Sequence, residues 1–250
     1  MKIIAIANQK GGVGKTTTAI NLSSGLAFCG KKTLLIDMDP QANASLSFVD
    51  IYSLKFSVYH MIVDRVDPEM VVVKTDYENL DLIPSRLILS KAERMLLGQI
   101  DEFYRLKDSI KQLSKTYDYI IIDNPPTLGI LTINSLVAST HIIIPIQASY
   151  FALEGTDDLL ITVSQVKDRF NPNLELLGVV VTMYDVRTII AKDAYEQVKA
   201  RFKDRVFKTV ITRSVRLEES PAYRECIMTY APGSKAAEQY SKLTKEVLKK

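Results

Sequence analysis

The sequence predicts an α/β fold in which helices flank a doubly wound, mostly parallel β-sheet. Short runs of almost continuous Ile, Leu and Val recur along the 250-residue chain, which is typical of strands buried on both faces. Helical patterns separate these runs, and such alternation favours parallel strands joined by crossover helices. Polar clusters follow several of the runs, at the ends of strands where this fold class binds its ligands.

Six strands and the helices between them can be placed along the chain in order. The predicted strands are 2–7, 32–37, 80–85, 117–123, 141–146 and 174–182. The predicted helices are Lys15–Phe28, Leu87–Lys115, Ile130–Ala138, Ala152–Arg169 and Ala191–Phe202. A last helix is predicted within 234–250, where apolar residues share one face at helical spacing: Ala236, Tyr240, Leu243 and Val247.

The composition bounds the class of protein. Hydrophobic residues make up 47% of the chain, which suffices for the core of a single domain spanning residues 1–250. Cys29 and Cys226 lie far apart and form no CxxC pair, so we expect reduced thiols rather than a disulfide or metal site. No stretch approaches the roughly 20 apolar residues of a membrane span. The N-terminal run is typical of a strand and not of a signal peptide, so we expect a cytoplasmic protein.

Charge is distributed unevenly along the chain. The formal net charge is +3 overall, but residues 1–183 carry a net −3 and residues 184–250 a net +6. A basic C-terminal third on a nearly neutral body suggests an acidic partner such as nucleic acid. A solvated basic surface explains the charge equally well, and composition leaves both interpretations open.

The first polar cluster, Asn8–Thr17, follows the first predicted strand and opens a predicted helix. Its glycines allow backbone N–H groups to face phosphate oxygens, and the helix adds its positive N-terminal end. Lys15 would neutralise terminal phosphates, and the Thr16 hydroxyl would bind Mg²⁺. This context makes an ordinary structural turn a poor explanation of the cluster.

The second cluster follows the second predicted strand. Alternation places Asp37 and Asp39 on the same side of an extended segment. One carboxylate would fix the water shell of a metal ion, and the other would orient an attacking water. The alternative is that an aspartate caps a short helix over 41–47, which explains one of the two carboxylates but not both.

The third cluster follows the fourth predicted strand. Asp123 ends an apolar run and is a candidate for a second carboxylate near the metal. Asn124, Pro125 and Pro126 follow it, and the two prolines end the strand and stiffen a loop that could sense a terminal phosphate.

Together these motifs resemble one family, the deviant phosphate-loop ATPases of the ParA/Soj type, which partition chromosomes and plasmids. The segments "KGGVGKTT", "DMDPQAN", "YIIIDNPPTLG", "TMYDVRT" and "RSVRLEESPAY" carry the resemblance. It implies a P-loop NTPase-like fold, a single deviant-Walker ATPase domain, ATP and Mg²⁺ as cofactors, and hydrolysis that is slow without a partner. It also implies an ATP-dependent homodimer.

The resemblance carries over residue by residue. It assigns catalysis to Lys10, Lys15 and Asp39, and Mg²⁺ to Thr16, Asp39 and Asp123. It assigns nucleotide contacts to Lys10, Gly11, Gly12, Val13, Gly14, Lys15, Thr16, Thr17, Asp37, Asp123, Asn124 and Pro125. In this family the lysine matched by Lys10 reaches across the dimer to the nucleotide of the other subunit, and the small size of Gly11 and Gly12 allows the subunits to approach.

The resemblance also implies non-specific binding of double-stranded DNA by the ATP-bound dimer. Arg187 and Arg216 match two arginines that contact the phosphate backbone in this family, and both lie in the basic third. Lys242, Lys245 and Lys249 fall opposite the apolar face of the last helix and would add phosphate contacts. The implied partner is a ParB-type centromere-binding protein that stimulates hydrolysis, and the implied location is the cytoplasm, on the nucleoid.

Two other interpretations remain. A MinD-like positioning ATPase would need an amphipathic C-terminal tail that binds a membrane, whereas the apolar face of the last helix is expected to be needed for packing. A non-hydrolysing adaptor would use ATP only as a switch, which the presence of Lys10 and Asp39 argues against.

Overall fold

A seven-stranded β-sheet runs through the centre of the protein in the computed structural model, which describes residues 1–250. Its strands are β1 Lys2–Ile6, β2 Thr33–Asp37, β3 Val73–Lys74, β4 Leu80–Ile83, β5 Tyr119–Asp123, β6 His141–Gln147 and β7 Glu175–Thr182. The strand order is β3-β4-β2-β5-β1-β6-β7. Every neighbouring pair is parallel except β3 with β4. The prediction of a doubly wound, mostly parallel sheet is confirmed.

Helices cover both faces of this sheet. They are α1 Lys15–Phe28, α2 Asn43–Leu46, α3 Val58–Ile62, α4 Ala92–Leu96, α5 Arg105–Lys111, α6 Ile130–Ala138, α7 Thr156–Arg169, α8 Ile189–Phe202, α9 Val215–Glu219, α10 Ile227–Tyr230 and α11 Lys235–Lys249. One face packs against α1, α2, α10 and α11, and the opposite face packs against α3 to α8. None of the eleven helices combines the length and the apolar character that a membrane crossing requires.

The apolar runs of the sequence follow from this burial on two sides. In β1, Ile4 and Ile6 point into the core beneath α1, while Ile3 and Ala5 point into the cores on the other face. Side chains of a strand alternate between its faces. A strand that is covered on both faces therefore has no position left for a polar residue, which accounts for the unbroken Ile, Leu and Val.

The apolar face of α11 is also used for packing. Ala236, Tyr240, Leu243 and Val247 are buried in the core shared with α1. Gly25 of α1 leaves space for the side chain of Thr244, because a Cβ at residue 25 would collide with the Thr244 hydroxyl. The expectation that this helix packs through its apolar face is met, and its opposite face carries the lysines.

The predicted helix Leu87–Lys115 is wrong as a single element. The segment folds as a short 3₁₀ turn over 87–91, then α4 and α5, with an irregular stretch between the two helices. Gly98 lies in that stretch with φ of +81°, a left-handed conformation that ends a right-handed helix. The sequence prediction also lacked β3 and α3, which have only 2 and 5 residues and are too short to display a period.

The strand order brings the polar clusters together. β1 lies between β5 and β6, so the chain reverses its winding direction beside β1. Asp123 is in register with Ile6 on one side and with Asp37 on the other. The loops that follow β1, β2 and β5 therefore meet at one edge, the place where doubly wound sheets bind ligands.

Replacing Gly178 with Ala should destabilise the fold. A Cβ at this position of β7 would lie 2.7 Å from the Phe207 ring and 2.8 Å from the Arg205 carbonyl oxygen. Backbone cannot move aside as a flexible side chain can, so we expect a loss of about 1–3 kcal/mol in the free energy of unfolding, measured by urea denaturation. Gly233→Ala is the matched control, because nothing lies within 4 Å of its Cβ position. Equal stability of the two variants would contradict this account of β7 packing.

Candidate functional site

The loop between β1 and α1 forms a concave surface of backbone N–H groups. Gly12 and Gly14 have φ of +72° and +84°, a left-handed conformation that other residues rarely adopt. No acidic residue occupies the first turn of α1, so the helix itself carries no charge that neutralises its positive end. Such a loop ahead of a helix N-terminus is suited to binding phosphate.

Residues of β6 and β7 hold this loop in place. The Asn8 side-chain amide donates to the Pro145 carbonyl of β6 at 2.7 Å, and its oxygen accepts from the Lys10 N–H at 2.9 Å. At the end of β7, the Thr182 hydroxyl donates to the Val13 carbonyl at 2.8 Å. The loop is therefore shaped before any ligand arrives, which reduces the ordering cost of binding.

Lys15 lies at the bottom of the loop and is buried. Its ammonium donates to the Lys10 carbonyl at 3.0 Å. Burial lowers the pKa of Lys15, while the nearby Asp123 and Asp39 carboxylates oppose that shift. A buried cation with one neutral acceptor is poorly compensated within the chain, and an anionic ligand would compensate it.

Asp37 supports the site from behind. One of its carboxylate oxygens accepts from the Ser45 N–H at 2.8 Å and from the Ser45 hydroxyl at 2.7 Å. The other oxygen accepts from the Asp39 N–H at 3.0 Å. Burial raises the pKa of Asp37 to about 6. Because both oxygens are occupied, Asp37 holds α2 and positions Asp39. The capping alternative is not met as stated, because the N-cap of α2 is Ala42, whose side chain makes no capping hydrogen bond.

Asp39 is free to contact a ligand. One carboxylate oxygen accepts from the Gln41 N–H at 2.9 Å, as in an Asx turn. The second oxygen makes no hydrogen bond within the chain, and the side chain is 8% exposed. The residue therefore faces the space in front of the phosphate loop with an available acceptor.

Asp123 is poorly compensated within the chain. It is completely buried, and neither of its carboxylate oxygens has a hydrogen-bond partner of normal geometry. Burial raises the pKa of Asp123 well above its ordinary value and the charge of Asp37 raises it further, while the nearby Thr16 hydroxyl and Lys15 ammonium oppose that shift. Asn124 beside it donates to the Ile6 and Ile122 carbonyls at 3.1 and 3.3 Å, leaving its own oxygen buried and unpaired. Buried acceptors without donors indicate a partner from outside the chain.

The donors at this edge fit Mg²⁺. The Thr16 hydroxyl, Asp39 and Asp123 are oxygen donors, which Mg²⁺ prefers, and Mg²⁺ usually retains waters and takes the rest of its ligands from substrate phosphates. No group of three or more acidic, histidine or cysteine side chains is arranged so that it could hold a metal ion by itself. The site therefore lacks a complete set of protein ligands, as expected for a metal that arrives with a phosphate compound.

A cavity of about 480 Å³ opens beside the phosphate loop. Its lining includes Gly14, Thr16, Thr17, Asn43, Thr182, Met183, Ile211, Thr212, Ser214, Leu217, Pro221 and Tyr240. The size and the partly apolar walls suit a nucleoside attached to the phosphates. The N–H and hydroxyl of Thr212 donate to the Gln239 side-chain oxygen at 3.0 and 3.1 Å, so α11 holds this wall in position.

Sequence reasoning identified the loop and missed most of this wall. Met183, Ile211 and Leu217 line the cavity. Met183 and Leu217 lie within the family segments 182–188 and 213–223, but no nucleotide contact was assigned to them. The sequence offered an indirect indication for Met183: this residue directly follows β7, at the carboxyl edge of the sheet, where ligands bind in this fold class. Met183 also has φ of +51°, which is uncommon for a residue with a side chain.

Lys10 does not join Lys15 in the site of its own chain. Its ammonium donates to the Phe151 carbonyl at 3.3 Å, in the loop after β6. Gly11 is exposed, its φ lies outside the left-handed region, and nothing lies within 4 Å of its Cβ position. Neither the direction of Lys10 nor the need for a glycine at residue 11 is explained by contacts to the phosphate loop within one subunit.

The basic residues assigned to DNA are all at the surface. Arg187 lies between β7 and α8, and Arg216 lies on α9, with side chains 84% and 61% exposed. A bridge between Tyr184 and Thr212 sets these two segments side by side. Lys242, Lys245 and Lys249 are exposed on the face of α11 opposite its buried residues.

Comparison with known proteins gives a consistent result. A family profile described as an AAA domain matches residues 1–176. The sporulation initiation inhibitor protein Soj of Bacillus subtilis is 47% identical over 247 residues, covering 98% of each chain. The chromosome partitioning protein ParA of Myxococcus xanthus is 41% identical, covering 100% of this chain and 88% of that protein. The crystal structure of cobyrinic acid a,c-diamide synthase from Mycobacterium smegmatis with bound ATP analog and magnesium is 34% identical, covers 94% of this chain and 98% of that one, and has a TM-score of 0.81.

Replacing Asp123 with Asn should stabilise the protein in the absence of Mg²⁺ and nucleotide. Removing an uncompensated buried acid should raise the free energy of unfolding at pH 7.5 by about 1–3 kcal/mol. The pKa values of Asp123 and Asp37 are raised in the folded state, so the unfolded chain loses these protons first as pH rises. The contribution of these two groups to the free energy of unfolding is therefore greatest below about pH 4. It falls as pH rises through their pKa values in the folded state, which is about 6 for Asp37.

Urea denaturation in EDTA at pH 5, 6 and 7.5 measures this effect. Asp123→Asn should show a weaker pH-dependent loss than the wild type. The control is Asp76→Asn, which removes an exposed carboxylate that has no hydrogen-bond partner. Identical pH profiles for Asp123→Asn and the wild type would show that Asp123 carries no unfavourable charge.

Proposed function

This chain belongs to the ParA/Soj-type partition ATPases, and we propose that it hydrolyses ATP in a cycle that segregates DNA. One observation carries the proposal: the unpaired, fully buried carboxylate of Asp123 lies beside a buried Lys15 and a phosphate-binding loop. Charged groups left uncompensated within the chain are what a site for Mg²⁺ and a nucleoside triphosphate requires. The identity to Soj and ParA makes partition the preferred use of that site.

ATP and Mg²⁺ are the proposed cofactors. Bound Mg²⁺ would neutralise phosphate charge, held by the Thr16 hydroxyl with Asp39 and Asp123 in its surroundings. Lys15 and the N–H groups from Gly11 to Thr17 bind and orient the phosphates. The free oxygen of Asp39 holds the attacking water, and Asp37 keeps Asp39 in position through the hydrogen bond from its N–H. Pro125 stiffens the loop that follows Asp123 and Asn124.

Lys10 is proposed to act on the nucleotide of a second subunit. Its ammonium is directed to the Phe151 carbonyl and away from its own phosphate loop, and the surface around Gly11 and Gly12 is open. A subunit facing this surface would receive Lys10 at its phosphates, where a cation stabilises charge that develops during hydrolysis. ATP would thus hold a homodimer together, and hydrolysis would release it.

The ATP-bound dimer is proposed to coat double-stranded DNA without sequence preference. Arg187 and Arg216 would contact phosphates, with Lys242, Lys245 and Lys249 adding weaker contacts. A dimer has twice the contacts of a subunit, so ATP controls DNA affinity through multivalency. A ParB-type centromere-binding partner would end each cycle by stimulating hydrolysis, which would give a cytoplasmic protein associated with the nucleoid.

A membrane-positioning role is the second candidate. It would need an apolar helical face free to enter a bilayer, whereas the apolar face of α11 is buried against α1. Co-sedimentation with anionic liposomes in the presence of ATP would favour this alternative. The amide-forming activity named for the M. smegmatis relative is not carried over, because identity to Soj, 47%, exceeds its 34%.

DNA binding should depend on ATP and fall steeply with salt. We expect tight binding of a random-sequence duplex with ATP and weak binding with ADP or no nucleotide, measured by fluorescence anisotropy across a salt series. Arg187→Ala and Arg216→Ala should each weaken binding to all sequences and reduce the slope of log K against log salt by about 1. The matched control is Arg94→Ala, an exposed arginine of α4 outside the basic third. Binding that ignores nucleotide or salt would contradict the proposal.

Lys10→Ala should reduce stimulated ATP hydrolysis on the order of 100-fold, because a positioned charge at the transition state is lost. Lys167→Ala, an exposed lysine in the last turn of α7, is the control and should leave hydrolysis unchanged.

Mixing two inactive variants separates action in the same subunit from action across the dimer. Lys10→Ala and Asp39→Ala should each be inactive alone. If Lys10 acts across the dimer, a mixed dimer contains one complete site, formed by Asp39 of one subunit and Lys10 of the other, and hydrolysis returns. If Lys10 serves its own nucleotide, both sites stay incomplete, and continued inactivity of a demonstrated mixed dimer would disprove the cross-subunit role.

A further inference from the structure

Both arginines assigned to DNA are already occupied by carboxylates of their own chain. The Arg187 guanidinium donates to the two oxygens of Asp185 at 2.9 and 2.8 Å, a bidentate pair. The Arg187 N–H also donates to Asp185, at 3.0 Å. These bonds hold the pKa of Asp185 well below its ordinary value, so the pair is ionised throughout the physiological range.

Arg216 is held in a comparable way. Its guanidinium lies 3.4 Å from an oxygen of Glu219, and the Tyr230 hydroxyl donates to the same oxygen at 3.0 Å. The Tyr230 ring lies 6.0 Å from the guanidinium and stacks against Tyr223. Glu219 is therefore fixed by a second donor and presents its charge to Arg216.

This pairing is not general in the basic third. Arg213, Arg224, Lys245 and Lys249 form no salt bridge and no hydrogen bond through their side chains, although acidic residues occur among them. Four cations of this region do form salt bridges: Arg187, Arg201, Arg216 and Lys242, the last with Glu238 on its own helix. Arg187 and Arg216 are the two among them with the most specific assignment to phosphate. Arg187 and Arg216 are also largely exposed, so a ligand can reach them without any rearrangement of the core.

A carboxylate and a phosphate offer a guanidinium the same arrangement of two oxygens. The donors that Arg187 gives to Asp185 are those it would give to a phosphate, so the two partners compete for them. We propose that Asp185 and Glu219 are internal competitors of DNA, carboxylates that hold the two arginines until backbone phosphates replace them. This inference rests on the proposed DNA binding and adds to it a device that lowers affinity.

The consequence is a lower affinity of each subunit for DNA. Each phosphate contact of Arg187 or Arg216 must first break an ion pair, so these two contacts add little to the affinity of a single subunit. A dimer makes both exchanges twice on one duplex, and its second subunit binds at high effective concentration. The carboxylates therefore lower the affinity in every subunit, and multivalency in the dimer offsets that loss.

The test replaces each carboxylate by its amide. Asp185→Asn keeps an oxygen that can accept from the Arg187 N–H, and Glu219→Gln keeps an acceptor for the Tyr230 hydroxyl, so the local turns are preserved. Exposed ion pairs are weak, so each variant should bind duplex DNA only about two- to fivefold more tightly at fixed salt. The controls Asp193→Asn and Glu196→Gln remove the same charge from exposed residues of α8 that make no ion pair.

A double-mutant cycle distinguishes competition from a general charge effect. In an Arg187→Ala background, Asp185→Asn should give no more than the small gain of Asp193→Asn, because the pair no longer exists. An undiminished gain in that background, or weaker DNA binding by Asp185→Asn in the wild-type background, would overturn the inference. The second result would mean that Asp185 positions Arg187 for DNA instead of competing for it.

The same measurements separate this inference from the proposed function. If the wild type binds DNA with ATP and Arg187→Ala weakens that binding, while Asp185→Asn matches its control, competition is rejected and the DNA-binding function stands. If the wild type fails to bind DNA under any nucleotide condition, the proposed function fails and the inference fails with it.

Discussion

The whole site depends on placing opposite charges at one edge of a parallel sheet, out of water. The register of β2 and β5 sets Asp37 beside Asp123, and the loop after β1 brings Lys15 to them. Attraction to Lys15 offsets only part of the cost of burial, because the two carboxylates also repel each other. A folded chain that keeps such a cluster is less stable than it would be with an apolar edge, and a ligand of matching charge recovers the difference.

This arrangement also explains why the site was largely visible in the sequence. Lys15, Asp39 and Asp123 each follow a strand directly, so topology alone brings them together once the strand order is known. The family segments 182–188 and 213–223 supply much of the cavity wall, but the contacts of Met183, Ile211 and Leu217 could not be assigned because they depend on tertiary packing. The break at Gly98 was missed because an isolated glycine is tolerated in many helices, and only its φ reveals a turn. Asp185 lies only two residues before Arg187, so their pairing could have been predicted from the sequence. The motif pointed only to the arginine.

The ion pairs at the surface are weak in comparison with the buried charge cluster, which suits a reversible cycle. Arg187 and Arg216 sit in shallow ion pairs open to solvent, where each exchange of partner changes the free energy by little. A cluster buried at the sheet edge responds strongly to one nucleotide, whereas a spread of exposed cations responds in small steps to a long polymer. The fold thus combines a buried site that responds strongly to one ligand with a surface that binds through many weak contacts.

α11 connects the cavity beside the phosphate loop with the basic surface. Tyr240 lines the cavity on one side of this helix, and Lys242 and Lys245 project from the other. A shift of the helix caused by a ligand against Tyr240 would move the lysines with it. Coupling between two binding equilibria is necessarily mutual. If a nucleotide in the cavity raises the proposed affinity for DNA, DNA raises the affinity for the nucleotide by the same factor, so a DNA-bound subunit would hold its ATP more tightly.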